Sequence, residues 1–216
     1  MDIFGGNWEN YIEKIKENWQ NLVAPTDIVL IAGDISWAMK LEDAIKDLEW
    51  VDKLNGSKII IKGNHEYWWG GITSVRKALP SSISAIQNDC LRFGDVLFCG
   101  TRGWTVPEHG KQLAAEDDKL YKREVERMKL TLAKMQALRK PTDTVICMMH
   151  FPPYNMTKED SNFTALLEEY KVDKVVFGHL HGKLVGMDKQ YNKNGIEYYF
   201  TSTDHINHTP VLVYKD

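Results

Sequence analysis

The sequence predicts an α/β fold of two packed sheets flanked by helices. Three observations point to it. Short β-branched runs alternate with segments of helical period in the first third of the chain. Several of these runs stop abruptly at glycine or at polar residues, and the last quarter reads as a hairpin. An order of strand, turn, helix and strand implies parallel strands joined by crossover helices.

Taken in order, "GNWENYIEKIKENWQNLV" places Trp8, Tyr11, Ile12, Ile15, Trp19 and Leu22 on one helical stripe. "TDIVLIAGD" is a strand closing at Gly33-Asp34, and "LEDAIKDLEWVDKL" returns to helical period through Leu41, Ala44, Ile45, Leu48 and Val51. "KIIIKGNH" is again strand and turn, and "ISAIQ", "CLRFG" and "DVLFCGTRG" are short strands. "AAEDDKLYKREVERMKLTLAKMQALRK" is one long amphipathic helix whose mixed charges form a solvated face. "TDTVICMMH" is a buried strand ending at His150, "NFTALLEEY" a short helix, and "DKVVFGHLHG" a strand ending in paired histidines. "KLVGMDKQYNKNGIEYYFTST" forms a hairpin around Asn194-Gly195, and "PVLVY" is a last strand.

The chain's 216 residues suit a single domain, 1–216, with a sizeable core. A net charge of -3 argues against a strongly basic nucleic-acid binder and leaves a nucleotide ligand open. Cys90, Cys99 and Cys147 show no Cys-x-x-Cys spacing, and two of them lie in apolar runs, as buried free thiols of a reducing compartment would. No apolar run reaches the ~18–20 residues of a membrane span. The opening residues lack the basic and apolar regions of a signal peptide, so a cytoplasmic location is expected. Oligomeric state is not legible.

Four polar clusters each follow an apolar run: Asp34 in "AGD", Asn64 and His65 in "GNHE", His150 in "MMH", and His179 and His181 in "GHLHG". Ligands collect beyond the carboxyl ends of strands in open α/β sheets. If the four runs are neighbouring parallel strands, the clusters meet at one edge. Carboxylate, amide oxygen and imidazole without thiolate suit Mn, Fe, Zn or Ni. Two ions held there would clamp the attacking and leaving oxygens of an in-line displacement and make hydroxide available near neutral pH. A histidine near the metals but not on them would protonate the leaving oxygen. Trp37, Trp68, Trp69 and Trp104 follow these motifs, where they either stack on a flat substrate group or pack the loops. Arg102 either reaches a substrate phosphate or pairs with an acid such as Glu116 or Asp117. His109, His205 and His208 read as loop histidines.

With Gly33-Asp34, "GNHE", His150 and "GHLH" in this order, the chain resembles the calcineurin-like metallophosphoesterases, and a bacterial branch of predicted phosphohydrolases among them. The resemblance implies a four-layer α/β/β/α sandwich of two mixed sheets flanked by helices. It implies a hydrolase of phosphomonoesters or phosphodiesters that uses a metal-activated hydroxide. Two divalent ions are implied, Mn first and Fe, Ni, Co or Zn behind it. Asp34 would bridge them; Asn64, His150 and His179 would complete one site and His181 would serve the other. His65 would be the catalytic non-ligand histidine, oriented by Glu66. The family's Asp-x-His motif, which closes a first strand and supplies two ligands, is not found in residues 1–33. The expectation is therefore a sheet without that strand, with an unpaired edge and an apolar stripe, and a weakened first metal site. An inactive binding or scaffold protein on the same fold is the competing expectation.

Overall fold

The computed structural model describes residues 8–182 and 188–215. The first half of the chain builds α1 (Tyr11–Leu22), β1 (Ile28–Ile31), α2 (Leu41–Asp52), β2 (Ser57–Ile61), α3 (Ile72–Ala78) and β3 (Ile83–Ile86). β1, β2 and β3 form one sheet in that order, all parallel. The second half builds β4 (Asp89–Phe93), β5 (Val96–Thr101), α4 (Ala115–Leu138), β6 (Thr144–Met149), α5 (Asn162–Glu169), β7 (Lys174–Phe177), β8 (Gln190–Lys193) and β9 (Ile196–Phe200). Its sheet runs β4-β5-β6-β7-β9-β8. The inner strands are parallel, and β4 and β8 pair antiparallel at the two edges. Mixing is thus confined to the second sheet, where Asn194 (φ 52°) and Gly195 (φ 84°) make the hairpin turn expected of that pair.

The period of two along each strand sorts residues into layers. Ile59 and Ile61 of β2 meet Phe98, Ile146, Met148 and Val176 between the sheets. Ile60, one residue out of step, faces Ala44, Leu48 and Val51 of α2 and Val75 of α3. On the far side, Leu97, Cys99, Val145, Cys147 and Val175 pack against Val125, Met128 and Leu132 of α4 and Phe163 and Leu167 of α5. The order of layers is helix, sheet, sheet, helix, as the four-layer expectation requires. Cys90, Cys99 and Cys147 are all free thiols.

Three expectations need correction. "PVLVY" is not a strand: residues 210–214 run without ladder hydrogen bonds. Among the described residues no strand pairs with them, and Val211 and Leu212 stand exposed. The stripe on α1 is only partly buried, since Trp19 enters the core while Ile12 and Leu22 stay exposed. The charged face of α4 is not wholly solvated, because Glu124 and Thr131 are fully buried. Among the described residues β1 pairs on one side only, with β2; its four residues are all half-buried, and its other side faces a groove of about 2010 Å³ lined also by α1 and residues 210–215.

Gly100 lets β5 and β6 approach closely. A Cβ there would lie 2.4 Å from the Met148 carbonyl oxygen on β6. Backbone cannot swing aside as a side chain can, so overpacking at this position is expected to cost about 1–3 kcal/mol or more. Gly100→Ala should lower the urea midpoint accordingly; an unchanged midpoint would show that the β5–β6 contact is looser than described.

Candidate metal centre

The four clusters do meet, but not along one sheet. β1 and β2 bring Asp34 and Asn64 from the first sheet, and β6 and β7 bring His150 and His179 from the second. Their carboxyl ends converge across the sandwich. Two glycines permit it. Gly33 takes φ 91° and Asp34 follows at φ 59°. A Cβ on Gly33 would lie 2.7 Å from the Gly63 nitrogen and 2.8 Å from His150 Nδ1. A Cβ on Gly63 would lie 2.1 Å from Asp34 Oδ1. Any side chain at either position would push the two turns apart.

Glu66 fastens these turns together. Its Oε1 accepts the Ile35 N–H, and its Oε2 accepts the Gly63 N–H at 2.6 Å. Asp34 Oδ1 adds a third tie by accepting the His65 N–H at 2.9 Å. Glu66 is 1% exposed, and burial, helped by the Asp34 charge, pushes its carboxyl up to about 7 despite the amide donors. The sequence expectation gave Glu66 the task of orienting His65. Past the turn, however, Glu66 points inward to the backbone while the His65 ring stacks on Trp37 (centroids 4.3 Å, planes 19° apart) and sets Nδ1 3.3 Å from the Tyr67 hydroxyl.

His150 is the hub of the cluster. Its Nδ1 lies 2.7 Å from the Ala32 carbonyl oxygen, which can only accept, so Nδ1 carries the proton. Nε2 then faces Asn64 Oδ1 at 2.6 Å, His179 Nδ1 at 3.1 Å and Asp34 Oδ2 at 3.3 Å. The ligand atoms of Asp34, His150 and His179 all lie within 4.8 Å of one another. Four lone-pair atoms directed at one another repel unless a proton or a cation sits among them. Burial, together with His150, lowers His179 to about 4, so its ring is neutral and ligand-ready at pH 7. For Asp34, burial is outweighed by the His65 amide and, when a proton also sits on His150 Nε2, by the hydrogen bond and charge of His150, which hold it at about 2. Two imidazoles, an amide oxygen and a carboxylate without thiolate fit a divalent first-row ion.

His181 stands outside this group. Its Nδ1 is 2.8 Å from Asp204 Oδ1, and its ring meets Trp8 edge to face at 5.4 Å. Asp204 was not singled out from the sequence, although it lies just past β9, which runs parallel to β7 and opens at the same edge. Burial would raise its carboxyl, but the bonds from His181 and the Gly182 N–H bring it below the ordinary value. Of the four tryptophans, Trp68 and Trp69 are buried in the core, Trp104 packs on the second sheet's cluster, and Trp37 is 47% exposed. Arg102 pairs with Glu124 rather than with Glu116 or Asp117. His109 is an exposed loop residue, while His205 and His208 sit in the 201–209 turn, His208 buried there.

The Glu66 proton has a measurable consequence. The folded state holds it up to about pH 7, whereas an unfolded glutamate releases it near 4.5. More protons are bound by the folded chain across that window, so stability falls as pH rises through it. Asp34 acts only below its unfolded value of 3.8, but His179, lowered from 6.5 to about 4, binds more protons unfolded than folded between those values and opposes the Glu66 contribution there. The Glu66 part is therefore read as the difference between the chelator-treated wild type and Glu66→Gln from pH 4.5 to 7. Glu66→Gln should leave the His179 contribution unopposed, so that stability rises with pH, while lowering stability overall, since a carboxamide offers one acceptor oxygen to two N–H groups. An identical slope in the variant would refute the assignment.

No curated protein matches the chain. The family model for calcineurin-like phosphoesterases matches residues 2–183, most of the 216 and every position of the cluster. The chain belongs to the calcineurin-like phosphoesterase family.

Proposed function

We propose that this chain is a divalent-metal-dependent phosphoesterase acting on phosphomonoesters or phosphodiesters. The observation that supports it is the convergence of Asp34, Asn64, His150 and His179, with His65 beside them but engaged elsewhere. A divalent ion held by that set would supply Lewis acidity toward a phosphoryl oxygen and a lowered pKa for water. Mn²⁺ is the first choice for this N/O set, ahead of Fe, Ni, Co and Zn. Asp34 supplies the negative charge and Asn64 a neutral oxygen. His150 is held in one tautomer by the Ala32 carbonyl. His181, whose Nδ1 is engaged by Asp204, keeps Nε2 for a second ion, the arrangement common to metal-ligating histidines.

His65 is the proposed proton donor to the leaving oxygen. Its ring is fixed by Trp37 and Tyr67 rather than by the cluster, so its proton stays available. The exposed faces of Trp37 and Tyr67 suit a flat leaving group, which keeps nucleotides among the candidate substrates. The three free thiols support a reducing compartment, the cytoplasm, and among the described residues no helix is long and apolar enough to cross a membrane.

With Mn²⁺ supplied, the chain should hydrolyse p-nitrophenyl phosphate or bis(p-nitrophenyl) phosphate. His65→Ala should lower kcat by about 10²–10⁴-fold while leaving metal content unchanged. Hydrolysis of neither ester, with metal bound, would overturn the enzymatic reading and favour a binding protein on the same fold.

A further inference from the structure

A second polar cleft lies apart from the metal centre. It has a volume of about 240 Å³ and shares no lining residue with the groove that holds His65 and His150. Lys62, just past β2, Arg102, just past β5, and Arg123 and Arg127 on α4 line it, and Glu124 is its one carboxylate. Four cations against one anion leave a surplus of three positive charges.

Glu124 cannot satisfy that surplus. Its Oε1 alone takes Arg127 at 2.7 Å and Arg102 and Arg123 at 3.3 Å each, while Oε2 accepts the Thr101 hydroxyl at 3.3 Å. Each guanidinium carries five N–H donors, so most point elsewhere. Arg102 Nε is buried with no hydrogen-bond partner, an unmet donor at the wall of the cleft. Lys62 Nζ donates to the Trp69 carbonyl at 2.6 Å and forms no ion pair among the described residues. Burial lowers both Lys62 and Arg102, and the neighbouring cations press the same way against the opposing pull of Glu124 on both and of Glu66 on Lys62, so an anion here would add to a compensation those carboxylates supply only in part.

We infer that this cleft is a binding site for a tetrahedral oxyanion, either inorganic phosphate or the phosphoryl group of a small organic phosphate. Planar guanidinium forks match phosphoryl oxygens in geometry and charge. The volume falls below the roughly 300–1,000 Å³ of pockets that enclose drug-sized ligands, which restricts the occupant to a small anion or to one group of a larger molecule. The cleft also adjoins the metal centre through the backbone. The Arg102 carbonyl accepts the N–H groups of His150 at 3.1 Å and Phe151 at 3.0 Å, and Lys62 precedes the Gly63-Asn64 turn. The inference stands whether or not the chain hydrolyses esters.

Calorimetric titration of the full chain tests it, with inorganic phosphate in one arm and non-hydrolysable phenylphosphonate in the other. Binding of one equivalent is expected, weakened at least tenfold in the Arg123→Ala/Arg127→Ala double variant and retained in His150→Ala. Both arginines also compensate the buried Glu124, so the single Arg123→Ala variant, which leaves Arg102 and Arg127 on that carboxylate, is measured beside the double one and should weaken binding in the same direction. Affinity should also fall as ionic strength rises. Tighter binding of phenylphosphonate assigns the site to an organic phosphate, and tighter binding of phosphate assigns it to the free ion. No binding in either arm, or binding lost in His150→Ala and untouched in the arginine variant, would overturn the inference.

Discussion

The Glu66 carboxylate, bridging the N–H groups of Ile35 and Gly63, is the fastening on which the rest of the site depends. It draws two strand-end turns into backbone contact, closer than any side chain at Gly33 or Gly63 would allow. That contact sets Asp34 against the His65 amide and places Asn64 opposite His150. The second sheet joins through His150, whose Nδ1 donates to the Ala32 carbonyl and whose Nε2 faces Asn64 Oδ1. The cluster is therefore assembled across the sandwich, and its geometry is inherited from the packing of the two sheets.

Electrostatics then divides the labour. Asp34 is kept charged and His179 neutral, the states a cation requires of its ligands. Their mutual repulsion stores a demand for positive charge at the centre. Around it, neighbouring groups fix the histidine rings: the Ala32 carbonyl for His150, Asp204 for His181, Trp37 and Tyr67 for His65. At the Arg102 cleft the imbalance has the opposite sign, with cations in surplus and one oxygen of Glu124 shared among three of them. A phosphoester hydrolase has a use for both kinds of imbalance, one to hold the metal and one to hold an anion.

Much of this was legible in the sequence. Continuous apolar runs such as "KIII" and "TVICMM" mark buried strands, and the polar residues just beyond such runs include Asp34, Asn64, His150 and His179. What escaped were features decided by partners distant in sequence. Glu66 is adjacent to His65, yet its partners are the backbone of Gly63 and Ile35. Asp204 sits in a turn whose only signal is its place after β9. The apolar "PVLVY" has strand composition, but a strand needs a paired edge, and among the described residues a groove lies between this segment and β1. Glu124 looked like one more charge on a solvated helix because nothing local reveals that Arg102 lies beneath it.

A crystal of the chain soaked with Mn²⁺ and read by anomalous scattering tests the cluster most directly. A manganese peak enclosed by Asp34 Oδ2, Asn64 Oδ1, His150 Nε2 and His179 Nδ1, with the Glu66 bridge intact, is expected. Manganese bound elsewhere, with those four atoms still facing one another at their present separations, would contradict it.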